Sequence, residues 1–159
     1  SGSTPDEVGM IVNQPYPFRV SGYWLWSDLD GDADIVLYDS DGTTARLTRS
    51  IDSNIRAATG AGLYRDGFGG TFVCLANTNY RVVVKPTTVT NLSIYEMDVP
   101  SAAAMDGLAG GQNFQKTSRT DAGAWTQVTT KRPFIWILSD QFDDGLGGIR
   151  LAGHGGLAA

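Results

Sequence analysis

Short apolar runs of period two, cut about every ten residues by Gly, Asp, Asn or Pro, recur from Phe18 to Asp140 and constrain this chain more than any other feature. Alternation of this kind puts successive side chains on opposite faces of an extended backbone, and the punctuating residues supply turns. In "FRVSGYWLW" the residues Phe18, Val20, Gly22, Trp24 and Trp26 alternate with Arg19, Ser21, Tyr23 and Leu25, which predicts one apolar face. "ADIVLYD" is apolar on both faces, as a central strand is. Ser40-Asp41-Gly42-Thr43 predicts a tight primed hairpin turn returning into "TARLTRSI". "TFVCLA" and "YRVVVKP", separated by Asn77-Thr78-Asn79, predict a second hairpin. "NLSIYEMDV" and "TKRPFIWILSD" each predict one further strand.

One helix is expected, short and near 101–108, where Ser101 caps "PSAAAMDGLAGG" and Gly107 or Gly110 ends it. Roughly eight or nine strands with so little helix predict an all-β fold: an antiparallel two-sheet sandwich, jelly-roll-like, of undetermined strand order. The expected division is a flexible N-terminus or tag remnant at 1–7, a β-sandwich domain at 8–145 and a glycine-rich C-terminal arm at 146–159. The arm, "GGIRLAGHGGLAA" with the preceding Gly145-Leu146, is expected to be mobile by itself, glycine losing most entropy on ordering. Alternatively it orders against a neighbouring subunit, with Ile149, Leu151 and Leu157 as apolar contacts.

Composition narrows function. With 159 residues, one domain is the default. A net charge of -5 with twelve scattered Lys and Arg argues against nucleic acid, and no apolar run has the length of a membrane helix. Cys74, the single cysteine, lies inside an apolar stretch and reads as a buried hydrophobe. One His, His154, and one Cys leave little material for a Cys/His pair, a Ser-His-Asp triad or a His/Cys zinc site. The expectation is a protein that is not an enzyme and requires no cofactor.

"SDLDGDADIVLYDSDGTT" holds six aspartates. Asp28, Asp30, Asp32 and Asp34, spaced by two, are the candidate calcium ligands, although Gly31 comes too early for an EF-hand and no closing glutamate follows. The competing reading is a wide polar turn between two strands. A glycosidase pair needs two carboxyls opposed across a cleft, and Glu7 and Glu96 are the only glutamates available to add. Among the aromatic residues, Trp24, Trp26 and Trp136 lie in apolar runs and are expected in the core. Trp125, among small polar residues, and Tyr64, in "GAGLYRDGFGG", are the candidates for ligand contact.

The phrases "PYPFRVSGYW", "DIVLYDSDGTT", "NTNYRVVVKPTT", "VPSAAAMDGLAGGQNF", "TSRTDAGAWT" and "RPFIWI" followed by "DDG" carry a resemblance in pattern and order. From about Ile11 to Gly145 the chain resembles a group of β-rich structural or virion-associated proteins of tailed bacteriophages and prophage regions. The resemblance implies a virion or extracellular location and brings no catalytic motif with it. The expected function is a non-enzymatic structural or decoration subunit of a phage particle or similar assembly, a homo-oligomer or one bound to other particle subunits. The alternative is a carbohydrate-binding sandwich module, calcium-stabilised in one form, of a tail-fibre or secreted protein.

Overall fold

A computed structural model describes residues 7–29, 31–52, 61–88, 92–99, 114–120 and 122–142. The expected helix at 101–108, Asp30, and the arm with Ile149, Leu151 and Leu157 lie outside them. Among the described residues twelve strands follow in chain order: β1 (Glu7–Val12), β2 (Phe18–Leu29), β3 (Ala33–Tyr38), β4 (Ala45–Ile51), β5 (Ala61–Cys74) and β6 (Tyr80–Pro86). After these come β7 (Leu92–Ile94), β8 (Glu96–Asp98), β9 (Lys116–Arg119), β10 (Thr126–Val128), β11 (Lys131–Pro133) and β12 (Ile135–Phe142). The fold is all-β and antiparallel, as the periodicity predicts. A six-stranded sheet, β10-β9-β1-β6-β3-β4, faces a sheet ordered β12-β2-β5 with β7 also on β2, and β11-β8 forms a ribbon.

The chain passes repeatedly between sheets, so that β2 pairs β5 in one while β3 pairs β6 in the other. Between them lies the core. Met10, Val12, Ile35, Leu37, Val82 and Val84 come from the six-stranded sheet, and Phe18, Val20, Tyr23, Leu25, Cys74 and Ile135 from the facing one. Strand β3 lies between β6 and the edge strand β4 and is covered on both faces, because Val36 and Tyr38 pack with Val83 in a second, smaller cluster on the outside of the six-stranded sheet. Glu7 opens β1 and is buried.

Several local expectations are corrected. β5 and β6 are not a hairpin: they belong to opposite sheets, joined by an arch. Tyr80 secures this arch by accepting the Leu75 amide at 2.9 Å on its hydroxyl, a tyrosine corner, and Asn77 turns it with φ of 54°. The β3–β4 connection is wider than a primed two-residue turn. The Asp39 carbonyl accepts the Gly42 amide at 2.9 Å, only Gly42 within it has positive φ, at 70°, and the Asp39 amide pairs with the Thr44 carbonyl at 2.8 Å. "NLSIYEMDV" divides into β7 and β8 at Tyr95, and the last apolar run divides into β11 and β12 at Phe134.

The largest difference lies in β2. Its pairing with both neighbours jumps from Val20 to Gly22, so Ser21 is an extra residue and the alternation changes phase there. A one-residue slip sends every later side chain to the opposite face. Phe18 and Val20 point inward, but beyond the bulge Tyr23, Leu25 and Leu29 do so, and Trp24 and Trp26 turn outward. Gly22 permits the bulge, since a Cβ there would stand 2.6 Å from the Asp66 carbonyl oxygen.

Candidate binding face

The phase change builds the most distinctive surface of the molecule. Trp26 and Trp136, expected in the core, are 41% and 44% exposed. They belong to a run of touching rings on the outer side of the β12-β2-β5 sheet. Trp26 stacks on Tyr95 at 4.9 Å between centroids, leans on Phe134 at 5.4 Å, and Phe134 in turn leans on Trp136 at 5.5 Å. Leu63 lies across from Trp26 on β5, and Met97 is two residues beyond Tyr95; both are exposed. Beside them Trp24, half-buried, pairs with Trp136 on one side and carries the Arg65 guanidinium 5.0 Å above its ring on the other.

A backbone junction aligns these rings. Along one edge of β2 the partner changes from β12, ending at Leu25↔Ile135, to β7, beginning at Ser27↔Ile94. At the change the Trp26 amide donates to the Phe134 carbonyl at 3.0 Å and the Tyr95 amide to the Trp26 carbonyl at 3.1 Å. The Phe134 amide closes the ring of contacts by donating to the Tyr95 carbonyl at 2.8 Å. Three aromatic residues from separate segments are thus locked side by side without a loop.

The ribbon that carries this junction is tied to the opposite sheet by charge. Glu96 on β8 binds Lys116 on β9 at 2.6 Å and Lys131 on β11 at 2.7 Å, and Lys131 also reaches Asp98 at 3.0 Å. Partial burial pushes the Glu96 carboxyl up, but the two ammonium groups outweigh it and hold its pKa below the usual value. A network of this kind fixes geometry better than an isolated surface pair.

Trp125 does not sit free for a ligand. Its indole N–H donates to the Gly42 carbonyl at 2.9 Å, and the guanidiniums of Arg119 and Arg81 lie 4.5 and 5.3 Å from its ring centre. Arg119 is buried, also covers Tyr38 at 5.0 Å, and donates twice to one oxygen of buried Glu7, at 2.8 and 3.0 Å. Burial and a hydrogen bond to Glu7 push the Tyr38 phenol up to about 12. This stack closes the outer face of the six-stranded sheet.

Tyr64 lines a cleft of about 400 Å³ between β4 and β5, with Arg49, Asp52, Arg65, Asp66 and Tyr23. Arg49 and Asp66 bridge it at 2.7 Å, and burial together with the Asp66 charge raises Tyr23 to about 12. Trp125 and Tyr64, the two aromatic residues picked from sequence as ligand contacts, are therefore separated from the ring cluster by their faces and edges.

The aspartate run is a connection between sheets. Asp28 belongs to β2 and Asp34 to β3, in different sheets, and Asp34 accepts the Ser50 hydroxyl at 2.7 Å. Asp32 is fastened to the end of β6, where its amide donates to the Thr88 hydroxyl at 3.0 Å and its carbonyl accepts the Thr87 amide at 2.9 Å. Among the described residues no three His, Cys, Asp or Glu side chains are grouped to hold a metal ion, and Asp30, the fourth of the expected calcium ligands, lies outside them. Asp41 works in the next turn, accepting the Thr43 and Thr44 amides at 2.7 and 2.8 Å. Cys74 is fully buried, and burial pushes its thiol up to about 12.

Compared with protein-family models, with curated proteins and with solved structures, the chain matches none.

Proposed function

We propose that this chain is a non-enzymatic structural or decoration subunit of a phage particle or similar extracellular assembly, working by contact through its aromatic face. The observation that supports this reading is the exposed run Trp26, Tyr95, Phe134 and Trp136 flanked by Leu63 and Met97. Contiguous apolar patches mark interaction surfaces, and aromatic residues and Met are enriched at interface cores. Arg65, its guanidinium over Trp24, gives the patch a charged border on the β5 side, as is usual at the rim of such surfaces. Repeated copies would combine modest contacts into strong attachment through effective concentration. Sedimentation of the wild-type chain against the Trp26→Ala, Tyr95→Ala double variant tests the reading: association in the first and its loss in a folded second is expected, whereas equal behaviour overturns it.

A carbohydrate-binding role is the second reading, supported by the open ring of Trp136 beside Trp24, over whose ring lies the Arg65 guanidinium, a donor suited to sugar hydroxyls. The mutual tilts of 55° and 47° within the cluster favour side chains of a protein partner over a flat pyranose. Titration with soluble oligosaccharides separates the two readings, since a glycan module shifts its tryptophan fluorescence and stays monomeric.

A further inference from the structure

We propose that the cleft between β4 and β5 is a saccharide site, taking one neutral pyranose unit beside the Arg49–Asp66 bridge. This goes beyond the assembly reading above, since it concerns a small molecule and needs neither Trp26 nor Trp136.

The cleft lies along the side of the sandwich where β4 and β5 are the edge strands of their sheets. Arg49 and Asp66 occupy inner positions on these strands. Across the ladder with β2, Asp66 stands opposite Tyr23, Tyr64 opposite Leu25 and Gly62 opposite Ser27, all three β2 residues being buried. Residues directly opposed share a face, so Asp66, Tyr64 and Gly62 belong to the inner side of β5. On β4, Leu47 and Ile51 pack against the core, and Arg49 lies between them in alternation. Inner positions of such a sheet are ordinarily apolar. Here a charged pair 2.7 Å apart holds two of them. Gly62 adds no side chain, and about 400 Å³ stays open between the walls, within the range of about 300–1,000 Å³ that small-molecule sites span.

The lining selects a neutral ligand rich in hydroxyls. Arg49 and Arg65 balance Asp52 and Asp66, so a net charge on the ligand would lose to one pair what it gains from the other. Arg49 reaches Asp66 Oδ2 through Nε, while Asp66 Oδ1 accepts the Gly67 amide at 2.7 Å. The Nη groups of Arg49 and the second lone pairs of the carboxylate are left to serve a ligand, so the bridge need not break. A sugar hydroxyl donates and accepts at once and can span guanidinium and carboxylate, whereas an ammonium group only donates. Half-buried Tyr64 adds apolar wall, and Tyr23, buried in the core, forms the inner end.

Titration of the isotope-labelled chain with glucose, galactose, mannose and N-acetylglucosamine, followed by heteronuclear NMR, tests the site. Saturable shifts at Arg49 Nε and at the Leu63, Arg65 and Gly67 amides are expected with at least one sugar, at a Kd on the order of 1 mM for so small a ligand. Arg49→Met and Asp66→Ala change exposed side chains, and circular dichroism should show both folded. Each should weaken binding roughly tenfold or more, as loss of a hydrogen bond to a charged group does. Trp136→Ala should bind as the wild type does. The site is overturned by an absence of saturable shifts with every sugar up to about 20 mM. Unchanged affinity in both cleft variants, or shifts centred on the Trp136 indole and lost in Trp136→Ala, overturns it equally. Shifts at the same amides with glycine and with no sugar would refute the neutral ligand. Self-association is read separately by sedimentation, so either proposal can fail while the other stands.

Discussion

Trp26 stacks on Tyr95, ring planes 26° apart, on the outside of a sandwich whose interior is filled by Tyr23 and Leu25 from the same strand as Trp26. The strand gives its smaller apolar residues to the core and its tryptophans to solvent. The core and the exposed aromatic face therefore draw on opposite sides of β2, and substitutions on each can be measured separately.

Glu7 and Arg119 form a buried ion pair, so Glu7→Gln leaves a buried guanidinium without its counter-charge. Breaking one side of such a pair costs about 3–5 kcal/mol. Urea denaturation should show a loss of that size for Glu7→Gln and a much smaller one for the double variant Glu7→Leu, Arg119→Met. Equal losses would contradict the pairing as drawn.

Gly42→Ala should destabilise through two effects. The residue has φ of 70°, which costs an L side chain about 1–2 kcal/mol, and its Cβ would stand 2.8 Å from the Trp125 indole nitrogen. Displacing the indole also removes its bond to the Gly42 carbonyl. A lowered urea midpoint with altered Trp125 environment is expected; an unchanged midpoint would count against the stack.

Acid should weaken the fold. Asp39 is held below its ordinary value by the Ser40 amide first and then by Arg46, and Glu96 by Lys116 and Lys131 against the opposing effect of burial. The unfolded chain then binds more protons as pH falls below about 4.5, so this stability is complete above the ordinary carboxylate range and is lost as pH drops through the lowered folded values. Lys131, raised by Glu96 and Asp98, adds the opposite trend: its share is present below about pH 10.4 and is lost at higher pH. Urea midpoints should fall between pH 7 and pH 3, less steeply in Glu96→Gln. Identical slopes in both proteins would contradict the role given to Glu96.

Calcium should leave the melting temperature where it stands, because Asp28 and Asp34 serve different sheets and Asp34 already binds Ser50. Melting with excess Ca²⁺ and with chelator checks this, and a calcium-dependent rise of several degrees would restore the metal reading.

The sequence disclosed the strands and the sandwich because period-two alternation is a local property, and "ADIVLYD" declared a doubly covered strand directly. It misled wherever a single residue or a long-range partner decided the outcome. Ser21 inverts the phase of β2, and nothing in "VSGY" announces a bulge beyond a small residue before glycine. The arch after Cys74 resembled a hairpin because Asn77-Thr78-Asn79 serves either connection; Tyr80 hydroxyl chemistry and sheet partners make it an arch. Trp125 looked exposed because its neighbours are small, while Arg119, Arg81 and Gly42, which cover it, are remote in sequence or on other strands. The exposed aromatic cluster was hidden for the same reason: Trp26, Tyr95 and Phe134 meet only where three segments exchange backbone bonds.

The central claim is that the chain works through this aromatic face. Sedimentation velocity of the wild-type protein beside the Trp26→Ala, Tyr95→Ala variant, both verified as folded, tests it most directly. Concentration-dependent association in the wild type and its absence in the variant are predicted; association of equal strength in both would contradict the account.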